Sequence, residues 1–404
     1  MKYILVLLDG MADFPIDSLG GKTPVEAART PSIDRLLKTA EIGTVKTVPD
    51  GMSPGSDVAN LSVLGYDPSV YYSGRSPLEA LSIGVNLGDD DMAVRCNLVT
   101  LSEDDDFESK TMVDYSAGEI TTPEAKELMQ GIEEKFGTKL FKFYGGVSYR
   151  HCLVVNGGAE LKDKMTLTPP HNITGKKIAQ YLPKGELSKE FIKLYKESYK
   201  YLSRHEINIQ RIQKGLRPAN CVWLWGQGVK PKLESFEERY GKKGAIISAV
   251  DLLKGIAIGA GMKSIDVEGA TGTLNTNFSG KAKAAIEALK ENDFCFIHLE
   301  APDECGHHGN LKGKIKSIEL IDEKVIGAIV SHFERTGEEF AMLITPDHYT
   351  PISTMTHDGT AVPYLMFSSK QNLGGAVDYS EKEANRGRKI ETQGELIRRF
   401  FALK

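Results

Sequence analysis

Paired cysteines are missing from this chain. Its five cysteines (Cys96, Cys152, Cys221, Cys295, Cys305) are odd in number, scattered, and never spaced as C-x-x-C. That argues against a disulfide framework and fits a reducing cytosol, so a cytoplasmic location is expected. Long apolar runs are missing too. The N-terminal run spans only Tyr3 to Leu8 and ends in Asp9-Gly10 without a small-residue cleavage site. It reads as a buried strand and not as a signal peptide, and no other run approaches membrane-spanning length. There is no long basic stretch, and the net charge is −5. A nucleic-acid partner is therefore not expected. No G-x-x-x-x-G-K-[ST] phosphate loop is complete: "LGGKT" has its tail, but Ile16 stands where the first glycine belongs. No internal repeat is visible.

What remains is an ordinary globular composition, 41% hydrophobic and 26% charged over 404 residues. That length exceeds what one core normally serves and predicts two domains. "YILVLL" is continuously apolar, as a parallel strand covered on both faces should be. It stops at Asp9, placing a carboxylate at the strand's C-terminal end. "RTPSIDRLLKTA" predicts a helix with Thr30 as N-cap and Pro31 at its first position. The second half repeats strand–helix alternation. "GAIISAV" is followed by "DLLKGIAIGAG". "FCFIHLEAPDE" runs into a ligand-rich loop, and "IKSIELIDEKVIGAIVSHFE" precedes "FAMLITPDH". This is the doubly wound α/β pattern.

The middle of the chain differs. "MAVRCNLVTLSE" alternates, "KLFKFYGGVSYRHCLVV" predicts a hairpin around Gly145-Gly146, and "SKEFIKLYKESYKYL" predicts an amphipathic helix. The acidic "SEDDDFE" reads as a solvated turn. The expectation is an α/β core formed by residues 1–89 and 216–404. It is a doubly wound, mostly parallel sheet, and an inserted α+β domain occupies residues 90–215.

Ligand-type side chains gather at the predicted strand ends: Asp9, then Asp303 with His307, then Asp347 with His348, with His357 close behind. Mixed carboxylates and imidazoles suit Mn²⁺, Zn²⁺ or a related ion. Six such groups are too many for one tetrahedral site, and two metals sharing them is the natural count. Paired metals are a standard solution for phosphoryl transfer. A nucleophile belongs nearby. Ser56, between Gly55 and Asp57 and ahead of an apolar helical run, places a hydroxyl at a helix N-terminus suited to a phosphate. The plainer reading of Ser56 is a helix N-cap. Ser53 is the weaker rival.

The motifs "LLDGMAD", "TPSIDRL", "PGSD", "GRSPLEA", "APDECGH" and "LITPDH", in this order, resemble the archaeal-type cofactor-independent phosphoglycerate mutases of the alkaline phosphatase superfamily. The resemblance covers nearly the whole chain. It implies an alkaline phosphatase-like core and an inserted domain that binds and closes over a small phosphorylated substrate. It implies two divalent metal ions (Mn²⁺ first, with Zn²⁺, Mg²⁺ or Co²⁺ as alternatives) and no 2,3-bisphosphoglycerate. One metal would be held by Asp9, Ser56, Asp347 and His348, the other by Asp303, His307 and His357. Ser56 would be the phosphorylated nucleophile in interconverting 3-phosphoglycerate and 2-phosphoglycerate.

An anionic substrate also needs cations. Arg75, Arg95, Arg150 and Lys243 are the candidates, and His171 lies in a segment, "TPPHNITGK", that resembles a family motif. Arg150 and His151, adjacent on one strand, should face opposite ways. The chain departs from the family pattern at Asn60, where many members have histidine. Related sequences with the wording "SDVANLS" are sometimes labelled homoserine kinases. A homoserine kinase-like phosphotransferase and a metal-dependent phosphatase are therefore the alternative readings.

Overall fold

The computed structural model describes Met1–Lys404 and divides into two compact units. The first comprises Met1–Tyr72 and Lys232–Lys404, the second Ser73–Pro231. The second unit is wider at both ends than the 90–215 segment expected from sequence. The reason is local: the Arg75–Ser82 helix and the Cys221–Val229 strand pack against the Met92–Leu101 strand, and sequence alternation alone did not reveal those partners.

The first unit is built on an eight-stranded sheet. Its strands run in the spatial order Lys263–Ile265, Gly244–Ile247, Phe294–Leu299, Lys2–Leu8, Phe340–Thr345, Val362–Ser368, Glu41–Val45, Arg388–Ile390. Only Val362–Ser368 runs against the rest. The Lys2–Leu8 strand is central because it is apolar on both faces. Ile4, Val6 and Leu8 enter a core shared with Ile33, Leu36, Ile318 and Ile329. On the other face Tyr3 packs edge-on against Phe400 and Phe401. Burying each such aliphatic side chain contributes roughly 1.5–3 kcal/mol.

Helix entry is decided by tertiary partners as much as by local caps. Thr30 stands at the N-cap of the Pro31–Leu37 helix but makes no capping bond. Asp322 does the capping from a distant helical segment, accepting Ser32 N–H at 3.0 Å and Ile33 N–H at 2.8 Å. Asp322 opens a single π turn, Asp322–Ile326, inside the predicted long helix.

A buried polar cluster lies under the turn after Lys2–Leu8. The Lys314 ammonium donates to Asp13 Oδ2 at 2.8 Å and to the Thr350 carbonyl at 2.8 Å. Glu381 accepts from Thr23 Oγ1 at 2.7 Å and from Asp13 N–H at 3.1 Å. Burial pushes the Glu381 carboxyl up to about 7 from its ordinary 4.5. Between those values the folded chain keeps a proton that the unfolded chain has released. This group's contribution to stability is therefore lost as pH rises from 4.5 to about 7 and is level above it. Glu381→Gln should flatten that decline, which is worth about 3 kcal/mol at most. Thermal melts from pH 4.5 to 8 check this, and parallel slopes in variant and parent would refute it.

The second unit is an antiparallel sheet in which Met92–Leu101 pairs with Arg150–Val155, Cys221–Val229 and Met112–Asp114, and Phe141–Val147 forms an edge. The Thr122–Phe136 and Ser188–Leu202 helices pack on the unit's core. The hairpin turn falls at Ser148-Tyr149, not at Gly145-Gly146. Ser148 takes the left-handed conformation (φ 54°), and its N–H and hydroxyl are tied to Thr122 and Ile120. The glycines lie instead in the register shift between Tyr144 and Val147. The five cysteines are free and buried.

Candidate metal centre and nucleophile

Parallel register brings three strand ends together, with Leu8 beside Leu299 and Leu7 beside Thr345. The next residues are Asp9, Glu300 and Pro346-Asp347-His348. Ligands collect at this carboxyl edge in open parallel sheets. The "APDECGH" stretch, expected as a loop, is a short helix, Ala301–His307. Pro302 stands at its second position, and one helical turn places Asp303 and His307 on the same side.

Two groups of ligand atoms form. In the first, His348 Nε2 lies 3.4 Å from Asp9 Oδ1, 3.4 Å from Asp347 Oδ2 and 3.2 Å from Ser56 Oγ. In the second, Asp303 lies 3.3 Å from His307 Nε2 and 3.4 Å from His357 Nε2. The His348 and His357 rings, 3.9 Å apart, join the two. These are the seven residues the sequence nominated. The structure brings all of them to one place.

Surrounding bonds orient each group. Asp347 Oδ1 accepts from Gly10 N–H (3.1 Å) and His348 N–H (3.0 Å), and its Oδ2 from Asn60 Nδ2 (2.9 Å). Asn60 Nδ2 also donates to the Ser56 carbonyl at 2.8 Å, so this residue ties the serine to Asp347. Thr350 Oγ1 donates to Asp303 and faces His348 Nδ1 at 3.2 Å. Its one proton is committed to the carboxylate, so His348 Nδ1–H must be the donor there and Nε2 is left with a lone pair. His307 Nδ1 faces the Met355 carbonyl at 3.0 Å and donates its proton there, since a carbonyl only accepts.

The residues present fit divalent cations. Asp9 Oδ1 is buried without a hydrogen-bond partner. His307 Nε2 and His357 Nε2 lie 2.9 Å apart with Asp303 within 3.4 Å of both, so two imidazole nitrogens and a carboxylate converge on one point. Burial, then the nearby Asp347, Asp303 and Glu300, hold the Asp9 carboxyl well above its usual range. For Asp303 burial pulls the same way, but the His307 and His357 contacts outweigh it and hold the carboxyl well below that range. The Asp303 hydrogen bond raises His307 to about 9. Carboxylates crowded at one edge with imidazole nitrogens among them suit a cation.

Ser56 is the first residue of the Ser56–Val63 helix. Gly55 holds the N-cap position, so the plainer N-cap reading of Ser56 fails. Ser53 is exposed and outside the cluster. His308 is exposed and turns back on Glu304.

Two neighbours escaped sequence reasoning. His298 Nε2 lies 2.9 Å from Asp9 Oδ2, and Glu300 stands with both as a group able to hold a cation. The available signal was a histidine at the inward end of an otherwise apolar strand.

Four of the five expected cationic residues belong to the second unit, and three of them cluster. Glu79 binds Arg75 (2.7 Å) and Arg95 (2.9 Å) at once. The Arg95 guanidinium also lies 4.0 Å over the Trp225 ring, which His171 meets edge-on at 5.1 Å. Burial, then the charges of Arg95 and Arg75, lower the His171 pKa. Arg150 is exposed and His151 buried, as strand alternation requires. Lys243 is a correction. It is exposed and precedes the Gly244–Ile247 strand, so it sits at the sheet edge opposite the cluster. Parallel strands put their two ends on opposite edges, and proximity in sequence to a strand did not say which.

Fold and site together define an α/β protein with a metal-binding strand-end cluster and a serine at a helix N-terminus. The chain belongs to the 2,3-bisphosphoglycerate-independent phosphoglycerate mutase family, whose model matches residues 38–208. It is 50% identical over 390 residues to the mutase of that name from Methanosarcina barkeri, covering 96% of both chains. A probable mutase of the same name from Geobacter sulfurreducens is 49% identical over 385 residues, covering 95% of both. Among solved structures, a Pyrococcus horikoshii protein superposes with a TM-score of 0.82 at 30% identity, covering 100% of this chain and 98% of the other. A cofactor-independent phosphoglycerate mutase from Thermoplasma acidophilum gives 0.67 at 26% identity, covering 99% of both.

Proposed function

We propose that this chain interconverts 3-phosphoglycerate and 2-phosphoglycerate through a phosphoserine at Ser56. The observation that carries the reading is Ser56 Oγ at a helix start, 3.2 Å from His348 Nε2 and beside the Asp9–Asp347 pair. Asp9, Ser56, Asp347 and His348 would hold one divalent cation, and Asp303, His307 and His357 the other. Mn²⁺ is proposed as the ion, with Zn²⁺, Mg²⁺ and Co²⁺ as alternatives whose ligand preferences overlap with it. When bound, the cations supply Lewis-acid stabilisation of charge on the phosphoryl and serine oxygens.

The chain's own groups do the rest. The backbone N–H groups at the start of the Ser56–Val63 helix face the phosphoryl oxygens. Asn60 keeps Ser56 in register with Asp347. The Ser56 oxygen bonds to phosphorus, the bond to the 3-oxygen breaks, and that oxygen ends as a hydroxyl carrying the serine's proton. Reversal onto the 2-hydroxyl completes the isomerisation and frees Ser56. The second unit is assigned the glycerate: Arg75, Arg95 and Arg150 bind its carboxylate, with His171 beside them. Guanidinium forks match that geometry. Water must stay out while phosphoserine exists, which gives closure of that unit a chemical purpose. A cytoplasmic location fits such chemistry and the free thiols.

Phosphorus NMR of the Mn²⁺-loaded protein with 3-phosphoglycerate tests the reading. A growing 2-phosphoglycerate signal with little inorganic phosphate is expected. Inorganic phosphate alone would make the protein a hydrolase. An unchanged spectrum would sink the mutase reading and make homoserine with ATP the next substrate pair.

A further inference from the structure

We propose that His298 is a positioning residue that fixes the metal-facing oxygen of Asp9. The inference rests on the reading of Asp9 as a metal ligand. His298 occupies the penultimate position of the Phe294–Leu299 strand, next to Leu7 on the neighbouring strand, and is fully buried. Its two ring nitrogens have different partners. Nε2 lies 2.9 Å from Asp9 Oδ2, and Nδ1 lies 3.1 Å from Ser248 Oγ. Ser248 Oγ already accepts Val250 N–H at 3.0 Å, so its own proton is free to go to Nδ1. The other tautomer would set a bare Nε2 against a carboxylate oxygen. The ring therefore carries its proton on Nε2 and donates it to Asp9.

The consequence is a divided carboxylate. Oδ2 is held from behind by His298, while Oδ1 has no hydrogen-bond partner and faces His348 Nε2. The main chain at His298 is pinned as well, because the buried Lys281 ammonium donates to its carbonyl at 2.9 Å. Lys281 bears on the neighbouring group of Asp9, His298 and Glu300 as well. Its own positive charge acts on Glu300, one of the three groups that could otherwise hold a cation. Partners of this kind typically change metal affinity by about 10–100-fold when removed.

Calorimetric titration of the metal-free protein with Mn²⁺ tests this without reference to turnover. The parent should bind two ions. His298→Leu should weaken one of the two affinities by about 10–100-fold and leave the other unchanged. His298→Gln, whose amide can still donate to Asp9, should recover most of the loss. ¹⁵N spectra of histidine-labelled, Mg²⁺-loaded parent should show His298 protonated on Nε2 and bare on Nδ1. Unchanged affinities in a folded His298→Leu chain would overturn the positioning role while leaving the metal site intact. A third Mn²⁺, bound by the parent and lost in His298→Leu, would overturn it by making His298 a ligand. Failure of the parent to bind any divalent cation would instead remove the metal reading beneath it. If His298→Leu does not fold, Ser248→Ala carries the test: it should weaken the same affinity several-fold, and no change would overturn the proposal.

Discussion

Ser56→Ala is expected to abolish phosphoryl transfer, with kcat falling by at least about 10⁴-fold, the scale seen when a covalent nucleophile is removed. No nearby group can replace it. Ser53 is exposed, and the hydroxyls beside the cluster are committed elsewhere, Thr47 to the Asp347 carbonyl and Thr350 to Asp303. The substitution costs little structurally because Gly55 and not Ser56 holds the N-cap position. Fold and Mn²⁺ binding at Asp303, His307 and His357 should therefore survive. The check is phosphorus NMR turnover together with trapping of labelled phosphoserine after acid quench. Label should appear in the parent and in Ser53→Ala, and be absent from Ser56→Ala. Substantial residual turnover in Ser56→Ala would remove this serine from its role.

Gly10→Ala is expected to be the most damaging single-methyl substitution near the site. Gly10 has φ +60°, a conformation that costs a side-chain-bearing residue roughly 1–2 kcal/mol. A Cβ there would also stand 2.5 Å from Thr350 Oγ1 and 2.8 Å from the Asp303 Cα, and closer still to Asp303 Oδ1. A side chain could rotate away, but a backbone carbon cannot. The Ala301–His307 helix would have to shift, taking Asp303 with it. Misplacement of a reacting group by about 1 Å can cost on the order of 10²-fold in rate. The expected result is at least that loss in kcat, a weakened Mn²⁺ affinity at the Asp303 group, and a lower melting temperature. Gly21→Ala is the control. Gly21 also has a positive φ (+81°), but its added Cβ meets nothing within 4 Å, so only the backbone cost should appear. Parent-like activity in Gly10→Ala would mean that the strand-end turn and the helix do not approach as described.

The two substitutions differ in what made them visible. Ser56 was legible as a candidate because a serine ahead of an apolar helical run suits a phosphate at a helix start, although an N-cap was the plainer reading. Gly10 was not, because Asp-Gly after a strand is an ordinary turn until the Asp303 backbone is seen lying against it. The same contrast recurs elsewhere. The metal-ligating types announced themselves by clustering at strand ends, yet the helix carrying Asp303 and His307 was read as a loop. Lys243 shows the converse, since a charged residue beside a strand carries no mark of which sheet edge it occupies. Asn60 stood out by its departure from a pattern, but its bonds to Ser56 and Asp347 required both partners in place.

Local chemistry in the sequence by itself determined the α/β alternation, the inserted α+β region, and the candidate serine and ligand-type residues. Apolar periodicity and side-chain type are properties of short segments and survive being read in a line. Tertiary structure alone decided which sheet edge each group faces, where the Ser73–Pro231 unit begins and ends, and how Asp9 is shared between His298 and His348. Those depend on strand register and on contacts between residues up to several hundred positions apart, which no local pattern encodes.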